Sequence, residues 1–489
     1  MPAGHRHSGR STRSGRPQDA AARAELSGGQ SGHVTAARSE TGSAARAHGA
    51  REAPTGIRAA LPIAGAMACA VPWFAVLLAV DVHSIPPEVV SILTAAAIIG
   101  AAFLLSWGAE VFQLDVSQAF ALAVLALIAV LPEYAVDAVF AWKAASNPEF
   151  APYAIANMTG SNRLIVGFGW SSVVLVAWWR TRRAAARRSS RRAANATTSA
   201  IVGRVVRLKD EQAVELVVLA LASIYALVIP FKGQLDLFDA AVLVTLFGVY
   251  AWATSRMPSE EPELEGPAVV IGALPTGRRR LAMLGLFAFA TVTIFLSAER
   301  FAEGLVETGK AIGIDEFLLV QWLAPLASEA PEFLVALLFA WRGLAVAGLR
   351  TLISSTVNQW TLLVGTLGVV YRIGQEFSAT PVLGGGLPLD GRQTEELLLT
   401  SVFSIFALAM VANFDLSVGE AAALGGIFLF QLVGAQIAPD RTTFQFIVIG
   451  ALVAGTVYLF ATSPARRQGI LNLPGLVRRA IGPRGDATP

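Results

Sequence analysis

From residue 60 onward, apolar runs close to the ~20 residues a helix needs to cross a bilayer alternate with short polar connections. The pattern predicts twelve spanning helices, at about 60–80, 87–108, 118–142, 152–179, 214–230, 236–254, 281–298, 317–341, 349–371, 395–412, 418–437 and 443–462. The longest polar connections are 180–213 and 255–280, and a Gly/Pro-rich loop fills 373–394. Residues 1–59, rich in Arg, Ser, Gly and Ala without apolar periodicity, read as a disordered basic tail. The run after this tail is too long for a secretory signal and lacks a clean cleavage pattern.

Composition agrees with the pattern. Of 489 residues 54% are hydrophobic and 15% charged, against about 25% charged in soluble chains, which excludes an ordinary soluble enzyme. The single cysteine, Cys69, excludes an intrachain disulfide and a Cys-cluster metal site. All five histidines lie outside the apolar core, which argues against a His-ligated metal or an intramembrane His relay. Without a Gly-rich phosphate loop, nucleophile elbow or metal-binding His pair, neither enzyme activity nor a cofactor is expected.

Arginines set the orientation. With the N-terminus inside, the cytoplasmic side receives the nine Arg of the tail, the cluster from Arg180 to Lys209, Arg256, Arg278, Arg279 and Arg280, and Arg466, Arg467, Arg478, Arg479 and Arg484. The other side holds only scattered residues such as Lys143, Lys232, Lys310, Arg392 and Arg441. Both termini are thus expected in the cytoplasm of an integral protein of the plasma (inner) membrane. The lipid bilayer is the expected partner, with the tail near anionic lipid rather than nucleic acid. Residues 466–481 suit a short basic helix on the membrane surface. The sequon Asn195-Ala196-Thr197 falls in a cytoplasmic loop and Arg484-Gly485-Asp486 in a polar tail, so neither carries weight.

Two segments look alike. The first contains Leu131-Pro132-Glu133-Tyr134 and later Gly160-Ser161-Asn162; the second contains Ser328-Glu329-Ala330-Pro331-Glu332-Phe333 and later Ser355-Thr356-Val357-Asn358-Gln359. Each puts Pro-Glu-aromatic in the middle of an apolar run and returns through a helix bearing Ser and Asn. A carboxylate at mid-membrane costs about 2.5–3.5 kcal/mol even on the lenient insertion scale and is functional by default. Proline frees the carbonyl four residues earlier, here Ile128 and Ala327. Carboxylates, freed carbonyls and Ser and Asn oxygens together suit a hard cation. Glu133 on the third span and Glu332 on the eighth run in opposite directions, so the repeats are inverted, a common plan for secondary transporters.

These motifs resemble those of the calcium/cation antiporter superfamily, the sodium/calcium exchangers in particular. The resemblance covers residues 87–437 and implies an all-α polytopic fold of two inverted five-helix repeats plus one extra helix at each end. The plan is a basic cytoplasmic tail at 1–59, an extra helix in 60–86, a first repeat at 87–254 with its basic loop 180–213, and a linker at 255–280. A second repeat at 281–437, an extra helix in 438–463 and a basic tail at 464–489 follow. The resemblance implies Glu133 and Glu332 as central cation ligands, supported by Ser328, Ser161, Asn162, Ser355, Asn358 and Gln359. It departs at Ala129 and Val130, which stand where the family carries hydroxyls, and at Glu329, which replaces the second hydroxyl of the other repeat.

The leading expectation is sodium/calcium antiport by alternating access. The alternatives are calcium/proton antiport, with Glu329 or Asp137 carrying the proton, and a transport-dead scaffold retaining the fold. Glu329 and Asp137 are each either a ligand or proton acceptor, or a counter-charge for Arg163. Arg163 keeps its proton and needs an acid; Glu133, Asp137 and Glu329 are available. The expectation is a tethered cation filling part of the first-repeat site, the alternative being a side chain that snorkels to headgroups.

Overall fold

The computed structural model describes residues 56–115, 131–189, 205–257, 264, 266–382 and 384–482. Residues 1–55, the upstream part of the third predicted span with Ile128, Ala129 and Val130, the sequon and the Arg-Gly-Asp tripeptide lie outside them. Among the described residues nine helices are long and apolar enough to cross a membrane, and ten if one bent pair counts as a span. Two of the twelve predicted spans are not in that set. The third is described only from Leu131 onward. The stretch at 349–371 is helical, but its polar run Ser354-Ser355-Thr356-Val357-Asn358-Gln359 and Arg350 keep it out.

Two helices open the described chain, α1 (Gly56–Ala68) and α2 (Val71–Ala79). Then follow α3 (Pro87–Phe112), α4 (Leu131–Ala144), α5 (Ala151–Arg163) leading through a π-turn into α6 (Ser171–Ser189), strand β1 (Val205–Arg207), α7 (Ala213–Ala226), β2 (Gln234–Asp236) and α8 (Leu237–Ser255). The same order recurs: α9 (Thr276–Ile312), the bent pair α10 (Glu316–Ser328) and α11 (Ala330–Arg342), α12 (Ala345–Asn358) leading through a π-turn into α13 (Val364–Phe377), β3 (Gly386–Pro388), α14 (Gly391–Val411), β4 (Asp415–Ser417) and α15 (Val418–Ile437). Helices α16 (Arg441–Thr462) and α17 (Pro464–Ile481) close the described chain.

The two halves interlock. Strand β1 pairs antiparallel with β4, Val206 opposite Leu416, and β2 pairs antiparallel with β3, Leu235 opposite Leu387. Helix α3 packs along α9 and α7 against α14, while α8 covers α13 and α15 covers α6. Exchanging the halves turns each of these contacts into another of the set. Large apolar side chains such as Phe295, Phe430, Ile447 and Val457 point outward, a surface suited to lipid rather than water.

Helix α5 approaches α10 so closely that a Cβ at Gly160 would lie 1.8 Å from the Gln321 carbonyl oxygen. A Gly→Ala change inside an ordinary helix gains up to about 1 kcal/mol. Here the sign reverses: Gly160→Ala is expected to cost ~1–3 kcal/mol through overpacking, read as a lowered melting temperature of the detergent-purified protein.

Candidate cation site

The predicted mid-helix Pro-Glu is corrected by the structure: α10 and α11 are two half-helices bent by 56°. Glu329 sits at the break, its N–H donating to the Pro325 carbonyl (2.8 Å) and its carbonyl accepting from Phe333 N–H (3.1 Å). Pro331 occupies the start of α11, where its missing N–H costs least. Because Pro331 is the residue four on from Ala327, the Ala327 carbonyl has no helical donor. Glu332 therefore lies in the first turn of a half-helix, an end that favours anionic groups, and Glu133 is the third described residue of α4.

Two π-turns, at Leu164–Trp170 and Gln359–Leu363, follow Arg163 and Asn358 in the two halves; such turns often mark functional positions. The second places Gln359 at the centre of the site. Its Nε2 lies 2.7 Å from Glu329 Oε1, 3.2 Å from Glu133 Oε2 and 2.6 Å from Ser161 Oγ. Ser161 Oγ lies 3.3 Å from Glu329 Oε1. One amide group, with two N–H bonds, thus serves three acceptors contributed by both halves. Alongside, Asn157 Nδ2 donates to Asp137 Oδ1 at 2.7 Å. Glu133, Asp137 and Glu329 are buried at 1%, 0% and 2% exposure.

Among the described residues this cluster has no basic hydrogen-bond partner. The charged neighbours of Glu133 are Glu329 and Asp137, and that of Glu332 is Glu329. Glu133 Oε1, Asp137 Oδ2, Glu329 Oε2, Glu332 Oε2, Asn162 Oδ1, Asn358 Oδ1, Gln359 Oε1 and Ser355 Oγ are all buried without a hydrogen-bond partner. Buried acceptors of this kind cost free energy unless something satisfies them. Among the described residues no group of three or more His, Cys, Asp and Glu side chains forms a metal cage; the available oxygens mix carboxylate, amide and hydroxyl.

The expected residues divide accordingly. Glu133, Glu329, Ser161 and Gln359 meet directly. Ser328 Oγ donates back to the Ala324 carbonyl at 3.1 Å, and Asn162 Nδ2 to the Met158 carbonyl at 3.0 Å, leaving acceptor lone pairs. Glu332 lies three residues on from Glu329 in α11, with its Oε2 buried and without a hydrogen-bond partner.

Arg163 requires a correction. It is buried, but its salt bridge is to Glu396 on α14, and its Nε donates to the Thr159 carbonyl at 3.3 Å. It neither fills the site as a tethered cation nor snorkels, so Glu329 and Asp137 are not its counter-charges. Glu396 escaped the sequence reading because it sits at the start of an amphipathic-looking run with no repeat signature; its only signal is a second acid, Glu395, beside it.

Comparison with known proteins agrees with this architecture. The model of the family described as sodium/calcium exchanger protein matches residues 88–256 and 282–436. The crystal structure of an H+/Ca2+ exchanger, CAX, is 38% identical, covering 86% of this chain and 98% of its own, with a TM-score of 0.75. The crystal structure of a selenium-substituted Ca2+/H+ antiporter protein, YfkE, is 14% identical, covering 77% of this chain and 98% of its own, with a TM-score of 0.53. The YfkE likeness bears on the fold alone. No curated protein matches the chain by sequence.

Proposed function

Since the chain belongs to the sodium/calcium exchanger protein family, whose members are membrane cation antiporters, we propose that it exchanges calcium for protons at a site between two inverted repeats. The repeats correspond to residues 87–254 and 281–437, and Glu133, Glu329 and Glu332 are the central acids. Ser161, Asn162, Ser328, Ser355 and Asn358 supply neutral oxygens, Asp137 completes the acidic set, and Gln359 bridges the acids through its amide nitrogen. The observation that carries the reading is the buried carboxylate pair bridged by Gln359, with no basic partner among the described residues and with oxygens left unsatisfied. Calcium takes 6–8 oxygens, and this donor set offers that number.

Charge balance supports the choice of proton. When a dication leaves a low-dielectric site, two carboxylates in contact cannot both stay ionised without replacement charge. Two protons can bind the carboxylates themselves, whereas two sodium ions need further neutral ligands. Ala129 and Val130 stand where hydroxyls would serve a second ion, and Glu329 adds a proton acceptor instead. Similarity to the CAX exchanger supports the same choice.

The test is calcium-45 uptake into proteoliposomes under a proton gradient and a sodium gradient imposed separately. Uptake driven by the proton gradient alone is expected. Uptake driven only by sodium would transfer the reading to sodium/calcium exchange, and no uptake under either would leave a transport-dead scaffold.

A further inference from the structure

Asn162-Arg163 in the first half and Asn358-Gln359 in the second occupy corresponding places, each at the end of a helix and the entrance to a π-turn. Gln359 turns its side chain into the acid cluster. Arg163, directly after Asn162 and two residues from Ser161, does not. Its guanidinium instead meets Glu396 and lies 5.2 Å over the Trp322 ring. Glu396 is saturated: it accepts from Arg163, from Arg441, and from Gln321 and Gln445 Nε2 at 2.9 Å each. Two of those donors, Arg441 and Gln445, come from α16, which begins beyond the residues matched by the family model.

The matching acid of the first half behaves differently. Glu215 lies eight residues after the end of β1, as Glu396 does after β3. Glu215 has Arg350 at 3.6 Å, a partly exposed arginine eight residues before Asn358. Only in the pair with Glu396 does the arginine adjoin the ion ligands.

We propose that Glu396 is a positioning residue for the cation site: with Arg441 and Gln445 behind it, it holds Arg163 out of the acid cluster that Gln359 joins from the other half. This rests on the reading of the acid cluster as a calcium site. Once released, the arginine carries a permanent positive charge within reach of Glu133 and Glu329 and competes with the dication.

The experiment compares full-length wild type, Glu396→Gln, Arg163→Lys/Glu396→Gln and Arg163→Gln/Glu396→Gln, each purified as monodisperse protein in detergent. Calcium-45 binding is expected to weaken by about tenfold or more in Glu396→Gln, because like charges brought together oppose binding. The Lys-containing double variant stays weak, and the Gln-containing one recovers to within about threefold. A merely structural pair would lower the yield of folded protein without separating the two double variants in affinity. Equal affinity in those two variants, or wild-type affinity in Glu396→Gln, overturns the inference; if Glu396→Gln does not fold, the two double variants decide. A second readout needs no calcium: dicyclohexylcarbodiimide modification of Glu133 and Glu329, followed by mass spectrometry. A cationic side chain seated on these carboxyls, the guanidinium in Glu396→Gln or the ammonium in the Lys double variant, blocks modification, and the Gln double variant is labelled like wild type. Unchanged labelling across the series overturns the proposal even if wild type binds no calcium, an outcome that separately defeats the calcium reading.

Discussion

Glu133→Gln and Glu329→Gln each reduce calcium uptake into proteoliposomes by at least ~100-fold, the scale set by the ~3–5 kcal/mol lost when one charged partner leaves a buried site. The same substitutions leave the melting temperature of the calcium-free protein unchanged or raised. Each carboxyl is buried among other acids with an oxygen unsatisfied, so neutralising it removes a cost when no cation is present. Loss of transport together with equal or greater stability separates a ligand from a structural charge. Glu332→Gln changes both quantities in the same directions, since Glu332 adds its field to that of Glu329. Glu329 is the more discriminating position, because the family resemblance assigns a hydroxyl there. A Glu329→Gln variant with wild-type uptake would remove this residue from the site.

Gln359→Ala separates binding from turnover. The amide lies within hydrogen-bond distance of Glu329, Glu133 and Ser161 and spans the two halves. Its N–H bonds neutralise part of the field of the two carboxylates. Removing it raises the free energy of the calcium-free state more than that of the loaded one, so the dication binds as tightly or tighter and leaves more slowly. The expected result is an apparent calcium affinity equal to or above wild type with a maximal rate lower by about tenfold, a change of ~1.4 kcal/mol in the barrier. A weakened affinity at unchanged maximal rate would make Gln359 an ordinary ligand.

The spans were legible because a bilayer demands long apolar runs, and the repeat because Pro-Glu inside such a run has no packing explanation. The Ser and Asn positions followed from the same logic, as did Glu329 as a candidate. What stayed hidden depends on backbone geometry or on contacts between distant elements. Two prolines, Pro325 and Pro331, mark a perturbed helix, but the sequence does not give the 56° angle of the break between them. The π-turns leave no residue signature, yet one of them aims Gln359. Arg163 announced a need for an acid; that the acid is Glu396, 233 residues away on α14, follows only from helices α5 and α14 packing together. The four short strands escaped notice because three residues at the end of a span give no readable alternation.

The central claim is that one dication is held between the two halves by Glu133 and Glu329. Strontium, an anomalous scatterer with calcium-like oxygen chemistry, tests it most directly when soaked into crystals of the full-length protein. One anomalous peak is expected about 2.3–2.7 Å from carboxylate oxygens of both residues, near the calcium–oxygen range, with the Gln359 amide nitrogen displaced from between them. A peak coordinated by only one half of the chain, or density bound elsewhere while the Gln359 bridge stays intact, would contradict it.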